Sequence, residues 1–275
     1  MKSVCLGIMV FFSCLGFSIA GESEHAHNNI LNKRITIYGG ARLFNADGTF
    51  SSGKEGRPVT EIGMDDLGLD ENEVSAIGGL SFNFAHRWNL HFDYFGYHDD
   101  AVKTAGKKFY FDDIEIPVNA SVKSNLDIDL YVLKLGYNII HTERSRFGIG
   151  AGIHGIDFDL QISGKISVGD SELPLGEGSE DFLAPIPNIW VYGAYALTER
   201  VIFRYGAGWM SASYDDYDGS LYLANAAIEY WPFQNAGFGA GYNYLTADID
   251  YKSSRRKENY DVDLSGALFY VTIGF

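Results

Sequence analysis

The groups in this sequence that could do chemistry are carboxylates and histidines gathered at the ends of candidate strands. His98-Asp99-Asp100 closes one such stretch, Asp157 and Asp159 another, and Asp215, Asp216 and Asp218 a third. A carboxylate beside an imidazole can help draw a proton from water, the arrangement of general base catalysis. A separate cluster, Asp65, Asp66, Asp70 and Glu71, offers the hard oxygen ligands that Ca²⁺ or Mg²⁺ takes. Its run, Asp65-Asp66-Leu67-Gly68-Leu69-Asp70-Glu71-Asn72, lacks the spacing of an EF-hand loop. His25-Ala26-His27 could bind a transition metal, but two histidines near a terminus are a sparse ligand set. P-loop, dinucleotide and zinc motifs are absent from the sequence. Acids on loops are ordinarily solvated charge, so the elements that carry them must decide what they do.

Those elements are strands. In the last stretch Ala267, Phe269, Val271, Ile273 and Phe275 are apolar, while Tyr270, Thr272 and Gly274 between them are small or polar. This period of two gives a strand with one greasy and one wetter face. The same alternation opens at Arg34, with Ile35, Ile37, Ala41 and Leu43 on one face and Thr36, Tyr38, Gly40 and Arg42 on the other. Further strands are predicted over 74–85, 88–98, 125–140, 146–160, 188–197, 201–213, 221–231, 236–251 and 260–275. Short turns fall near residues 86, 142, 199 and 233, and the remaining connections are longer or more acidic. Alternating short and long connections are the asymmetry of a transmembrane barrel, whose strands need about 9–11 residues to cross. The fold expected is therefore all-β, a closed antiparallel up-and-down transmembrane β-barrel of ten strands. Twelve strands are possible if Phe109, Phe111, Ile114, Ile116 and Val118 make a further hairpin, although the charges around it suit a water-exposed extension better. Trp88, Tyr137, Tyr230, Trp231 and Phe275 lie near the short-turn ends, as an interfacial aromatic girdle would.

Composition agrees. The 275 residues include 18 Tyr, 19 Phe and 32 Gly with only 6 Pro, an aromatic, turn-rich and β-favouring mixture. Mean hydropathy is −0.07, which a barrel with alternating lipid-facing and lumen-facing residues also gives. Lys2, the apolar run from Val4 to Phe17 and Ser18-Ile19-Ala20 read as a secretory signal over 1–20. A polar stub then covers 21–32 and the barrel domain 33–275. Both cysteines, Cys5 and Cys14, lie in the signal, so disulfides are not expected in the exported chain. Loss of Lys2 takes the charge one unit beyond −15, which argues against nucleic acid as a partner.

If the apolar faces meet lipid, the opposite set is lumenal. That set includes Arg42, Asn83, His91, Asp93, Lys134, Asn138, His154, Arg204, Glu229, Asn243 and Tyr270, interleaved with glycines. Charges in a narrow lumen should pair, because isolated buried charge is costly. The expected outcome is a packed polar network with no cofactor. The alternative is a polar track for a small solute.

Several segments, taken in order, resemble a largely uncharacterised family of proteobacterial outer-membrane β-barrel proteins. They are Asp66-Leu67-Gly68-Leu69-Asp70, Ala194-Tyr195-Ala196-Leu197-Thr198-Glu199-Arg200, Asp215-Asp216-Tyr217-Asp218-Gly219-Ser220, Gly239-Ala240-Gly241-Tyr242-Asn243-Tyr244 and the terminal Phe275. The resemblance implies a bacterial outer-membrane location, and with the short turns periplasmic, as in such barrels, both termini fall on the periplasmic side. It also implies contact with membrane lipid and lipopolysaccharide, and recognition of the Phe275 strand by the barrel-assembly machinery. It supplies no activity and no oligomeric state. Ten-stranded outer-membrane proteases also carry Asp and His at the rim, but their paired motifs are not recognisable here. The function expected is a structural or surface-interaction barrel with acidic outer loops, then a narrow porin-like channel, then a rim hydrolase.

Overall fold

The computed structural model describes residues 30–54, 60–69, 74–111, 114–168, 171–214, 217–252 and 256–275. The signal over 1–20, the stub to residue 29, and Asp70, Glu71, Asp215 and Asp216 lie outside the described residues. After a single 3-10 turn at Ile30–Asn32, the elements are β1 (Ile35–Lys54), β2 (Glu61–Gly63), α1 (Met64–Leu67), β3 (Val74–Phe84) and β4 (Trp88–Thr104). There follow β5 (Phe109–Phe111), β6 (Ile114–Ile116), β7 (Ser121–His141), β8 (Ser145–Val168) and β9 (Ser171–Ala196). The chain ends with β10 (Val201–Tyr214), β11 (Tyr217–Tyr230), β12 (Ala236–Lys252) and β13 (Arg256–Gly274).

One sheet of eleven strands runs in the order β13-β12-β11-β10-β9-β8-β7-β4-β3-β1-β2. Because β13 also pairs with β1, that sheet closes as ten strands, with β2 as a short addition to β1. The closing ladder is unbroken from Thr36↔Gly274 to Lys54↔Arg256. Closure leaves no strand edge in the wall, which is what a β-structure surrounded by lipid requires. The period-two pattern of the last stretch thus ends in a partner strand. The short turns fall between β3 and β4, β7 and β8, β9 and β10, and β11 and β12, where the sequence puts them. At the first of these, the three-residue turn between paired Phe84 and Trp88, Ala85 and His86 both have positive φ, which lets the chain reverse tightly.

Two expectations change. Much of what reads as long excursion, 99–123 and 161–184, is strand: β4 runs to Thr104, β7 starts at Ser121, and β8 and β9 extend together to Val168 and Ser171. These segments are polar only on one side, so they pair as raised hairpins while their composition looks loop-like. The hairpin of β5 and β6 is a separate two-stranded sheet and adds no barrel strand. Its apolar face is turned inward, with Phe109, Phe111 and Ile116 fully buried, while Lys108 and Glu115 on the other face stay exposed to water.

Candidate functional site

The lumen has two parts with opposite chemistry. At the long-hairpin end it is filled with apolar side chains. Leu126, Ile128, Leu130 and Val132 of β7 meet Ile156, Phe158, Leu160 and Ile162 of β8. Phe50 and Tyr260 close the ring from β1 and β13, with Phe50 and Phe158 centroids 5.8 Å apart. Into this lining fold Ile62 of β2, Met64 and Leu67 of α1, and Phe109, Phe111 and Ile116 of the β5–β6 hairpin. The helix α1 is one turn, ended at Gly68 in the left-handed region with φ +77, where its N–H donates to the Asp65 carbonyl at 3.1 Å. A Cβ at Gly68 would also stand 3.1 Å from Lys103 Cβ, so this loop closes on β4 only with glycine there.

At the short-turn end lies a cavity of about 590 Å³ lined by charged, amide and hydroxyl groups set among aromatic and aliphatic side chains. Asn83, His91, Asp93, Lys134, Asn138, Arg204, Glu229, Asn243 and Tyr270 all line it. Lys134 Nζ is 2.9 Å from Asp93 Oδ2, and Tyr38 donates to Asp93 Oδ1 at 2.9 Å. Arg204 Nε donates to Glu229 Oε1 at 2.8 Å and Tyr270 to the same oxygen at 3.0 Å. Glu229 Oε2 accepts the Trp231 indole N–H at 3.0 Å. Each carboxylate is thus ringed by donors, which offsets the cost of removing it from water. His91 sets its edge against Trp190 at a 5.5 Å centroid distance. Arg42 and His154 are buried in the wall above the cavity, Arg42 with its guanidinium 5.8 Å from the Phe95 ring centroid. His154 Nδ1 has no hydrogen-bond partner among the described residues.

Sequence reasoning missed several of these residues. Trp190 and Tyr192 stack on each other at 4.1 Å, and Lys134 Nζ lies 4.9 Å from the Trp190 ring centroid. They lie flat against the wall because β8 is glycine there: a Cβ at Gly148 would be 2.4 Å from the Tyr192 ring, and one at Gly150 2.3 Å from Trp190 Nε1. An aromatic every second residue looks the same whether it faces lipid or lumen, so only the opposing glycines signal it. Trp231 corrects the girdle assignment. At 1% exposure it is inside, packed with Ile30, Leu31 and Ile202, while Trp88, Tyr137, Tyr230 and Phe275 are on the outside. Ile30 and Leu31, taken as the end of a polar stub, form part of the cavity floor. Asn32 accepts from Arg146, Lys33 donates to Asn235 at 2.6 Å, and Asn83 donates to the Lys33 carbonyl at 2.7 Å.

The rim acids fall elsewhere. His98 Nδ1 is 3.0 Å from Asp127 Oδ1, and Tyr94 donates to Asp129 at 2.7 Å. These residues, with Asp157 and Asp159 on neighbouring β8, stand on the outward-pointing positions above the apolar belt, and the His98 side chain is half exposed. In the first loop Asp66 Oδ2 is 2.7 Å from Lys107 Nζ and accepts the Gly63 N–H at 3.0 Å, and Lys103 donates to the Asp65 carbonyl. Partial burial pushes the Asp66 carboxyl up, but Lys107 and the Gly63 N–H outweigh it and hold it below the usual carboxylate range. Among the described residues no group of three or more His, Cys, Asp or Glu is placed to hold a metal ion.

The outward face below the acids is a belt of Leu90, Phe92, Leu133, Leu135, Ile149, Ile153, Ile228, Phe238, Phe269 and Val271, all exposed. A closed barrel wearing such a belt is a membrane-spanning architecture. Fold and belt together indicate a bacterial outer-membrane protein. No protein-family model matches the chain, and no curated protein matches it in sequence. Among solved structures, the outer-membrane protease OmpT from Escherichia coli is similar at a TM-score of 0.54 and 11% identity, over 87% of this chain and 97% of that one. The toluene transporter TodX from P. putida gives a TM-score of 0.35 at 9% identity, over 89% and 90% of the two chains. The outer-membrane protein AlkL gives 0.38 at 9% identity, over 95% and 98%. The first of these likenesses is one of fold.

Proposed function

We propose that this chain is a sealed outer-membrane barrel with a structural or surface-interaction role. The observation that carries the reading is the apolar filling of the long-hairpin half, where fully buried Phe109, Leu126 and Leu160 occupy the position a solute path would need. Close-packed side chains leave no water column, and an ion would meet the full cost of desolvation there. On this reading the short turns and both termini face the periplasm, and the acidic hairpins stand outward among lipopolysaccharide headgroups. The strand ending in Phe275, which closes on β1, is the segment that the barrel-assembly machinery would read.

A narrow channel is favoured only by the polar cavity, which the apolar half caps. A rim hydrolase has the His98–Asp127 contact in its favour, but those side chains stand on an outer wall, without the concave enclosure that substrate binding calls for. The test is single-channel conductance of the refolded chain in a planar bilayer, beside Arg204→Ala and Lys134→Ala. Silence from protein shown to be inserted is expected. Steady conductance that changes with either substitution would overturn the reading.

A further inference from the structure

We infer that the cavity at the short-turn end is a binding chamber for a small oxyanion, a carboxylate or phosphate compound admitted from that end. The lining carries three inward cations, Lys134, Arg146 and Arg204, against two carboxylates, Asp93 and Glu229, with Arg34 at its edge, its guanidinium over the Phe82 ring at 5.6 Å. This is an excess of positive charge inside a chain whose net charge is −15. The hydrogen-bonding capacity is equally one-sided. Both oxygens of Asp93 and both of Glu229 already accept donors. The donors are not used up. The Arg204 side chain is 36% exposed to the cavity while that of Glu229 is 4%, so the guanidinium faces open space and its carboxylate is shut away. Arg204 spends its Nε on Glu229, and its planar fork is the group best matched to an oxyanion.

Arg146 makes the second half of the argument. It is buried at the floor, where it donates to Asn32 and to the Ser145 carbonyl, and it has no carboxylate partner among the described residues. A buried cation held only by neutral acceptors lowers its energy when an anion arrives. Asn138, Asn225 and Asn243 add amides that can bond the polar body of such a ligand. The volume of about 590 Å³ is of the size that small-molecule sites occupy, roughly 300–1,000 Å³. The lining reaches Phe84 and His86 at the β3–β4 turn, so entry from the short-turn end needs no passage through the apolar half. The inference goes beyond the sealed-barrel reading, and a barrel that conducts would not by itself contradict it.

The test is isothermal titration of the refolded full chain in zwitterionic detergent at low ionic strength, with succinate and with inorganic phosphate as probes. Two variants accompany it, Arg146→Gln and the paired Arg204→Gln/Glu229→Gln. The second removes a cation without stranding its carboxylate, and far-ultraviolet circular dichroism confirms that each remains a folded barrel. Saturable binding of either probe is expected, weakened about tenfold or more in each variant by loss of a charge-assisted hydrogen bond. Preference for succinate assigns the chamber to carboxylates, and preference for phosphate assigns it to phosphate compounds. Absence of saturable heat with both probes overturns the inference. So does binding that is unchanged in both folded variants.

Discussion

Along β7 the two halves of the barrel can be compared residue by residue. Toward the short-turn end Leu133, Leu135, Tyr137 and Ile139 face out and Lys134 and Asn138 face in. Toward the long-hairpin end Leu126, Ile128 and Leu130 face in, and Asp127 and Asp129 occupy the outward positions. Two leucines three residues apart mark the change: inward Leu130 is 8% exposed and outward Leu133 48%. β8 inverts in the same way, from outward Ile149 and Ile153 to inward Ile156 and Phe158. On β12, Phe238 and Tyr242 face out and Ala247 faces in. The strand does not shift register, because the β7–β8 ladder runs unbroken from Ser121↔Lys165 to Asn138↔Gly148. What changes is the solvent outside. Where lipid surrounds the wall the apolar residues turn outward and polar groups fill the lumen; where water surrounds it the rule of a soluble protein returns. The same barrel is thus a membrane protein below and a water-soluble one above.

Substitutions can break each half on its own terms. Phe158→Asp in the upper core is expected to have the largest effect. Losing the ring costs about 3–5 kcal/mol, and the desolvated carboxylate adds to that. Denaturant unfolding of the refolded chain would show it, and an unchanged midpoint would mean that the upper lumen is wet. Next comes Arg204→Gln, which strands Glu229 in the lower lumen and is expected to cost about 3–5 kcal/mol, with much of the loss recovered in the paired Arg204→Gln/Glu229→Gln variant. Parity gives a third contrast in lipid vesicles. Leu133→Lys on the belt should cost about 2–4 kcal/mol, whereas Asp127→Lys, also outward but above the belt, should stay within about 1 kcal/mol.

The smallest effect concerns the loop that caps the upper half. Lys107→Gln should loosen α1 by less than about 1 kcal/mol, since Lys107 is half exposed and Asp66 only partly buried. Its pH dependence has a definite sign. Asp66 is held below the usual carboxylate value, so its contribution is present above that value and lost as pH falls through the depressed one. Lys107 is raised above the usual lysine value by its hydrogen bond to Asp66, so its contribution is present below that value and lost as pH rises through the raised one. Wild type should therefore lose this increment at both extremes of pH; Lys107→Gln should abolish the alkaline loss and shrink the acid one to the share that the Gly63 N–H still supplies. Proteolysis rates at the first loop across the pH range would read it.

The closed fold was legible because alternation, short turns and the terminal strand all report on local backbone and on one lipid interface. Pairing of Ile37 with Ile273 follows from two such faces meeting. The polar side of the lower lumen was legible for the same reason, since Asp93, Lys134, Arg204 and Glu229 interrupt an otherwise apolar strand on fixed parity. What stayed hidden was the inversion. Leu126, Ile128 and Leu130 keep a period of two, and nothing in the period says which side faces water. The cue was present in Asp127 and Asp129, which put charge on the parity that Leu133 and Leu135 occupy lower down. The inward fold of β5 and β6 was hidden because it depends on contacts with Ile162 and Gly164, far along the chain. Arg146 was missed because the first residue of a predicted strand reads as interfacial, and Trp190 because an aromatic on an alternating strand fits a lipid face as well as a lumenal one.

The inversion itself can be measured most directly by thiol labelling. With Cys5 and Cys14 the two cysteines of the sequence, single cysteines can be introduced one at a time into a chain in which both are replaced by serine. Asp129→Cys, Leu130→Cys, Leu133→Cys and Lys134→Cys would be exposed in proteoliposomes to a membrane-impermeant maleimide added outside. In vesicles with the long hairpins outward, rapid labelling of Asp129→Cys alone is expected, since Leu133 faces lipid, Leu130 the apolar filling, and Lys134 a chamber that the filling closes on that side. Labelling of Leu130→Cys as fast as Asp129→Cys would mean that water reaches the upper lumen, and the account of a sealed barrel would be wrong.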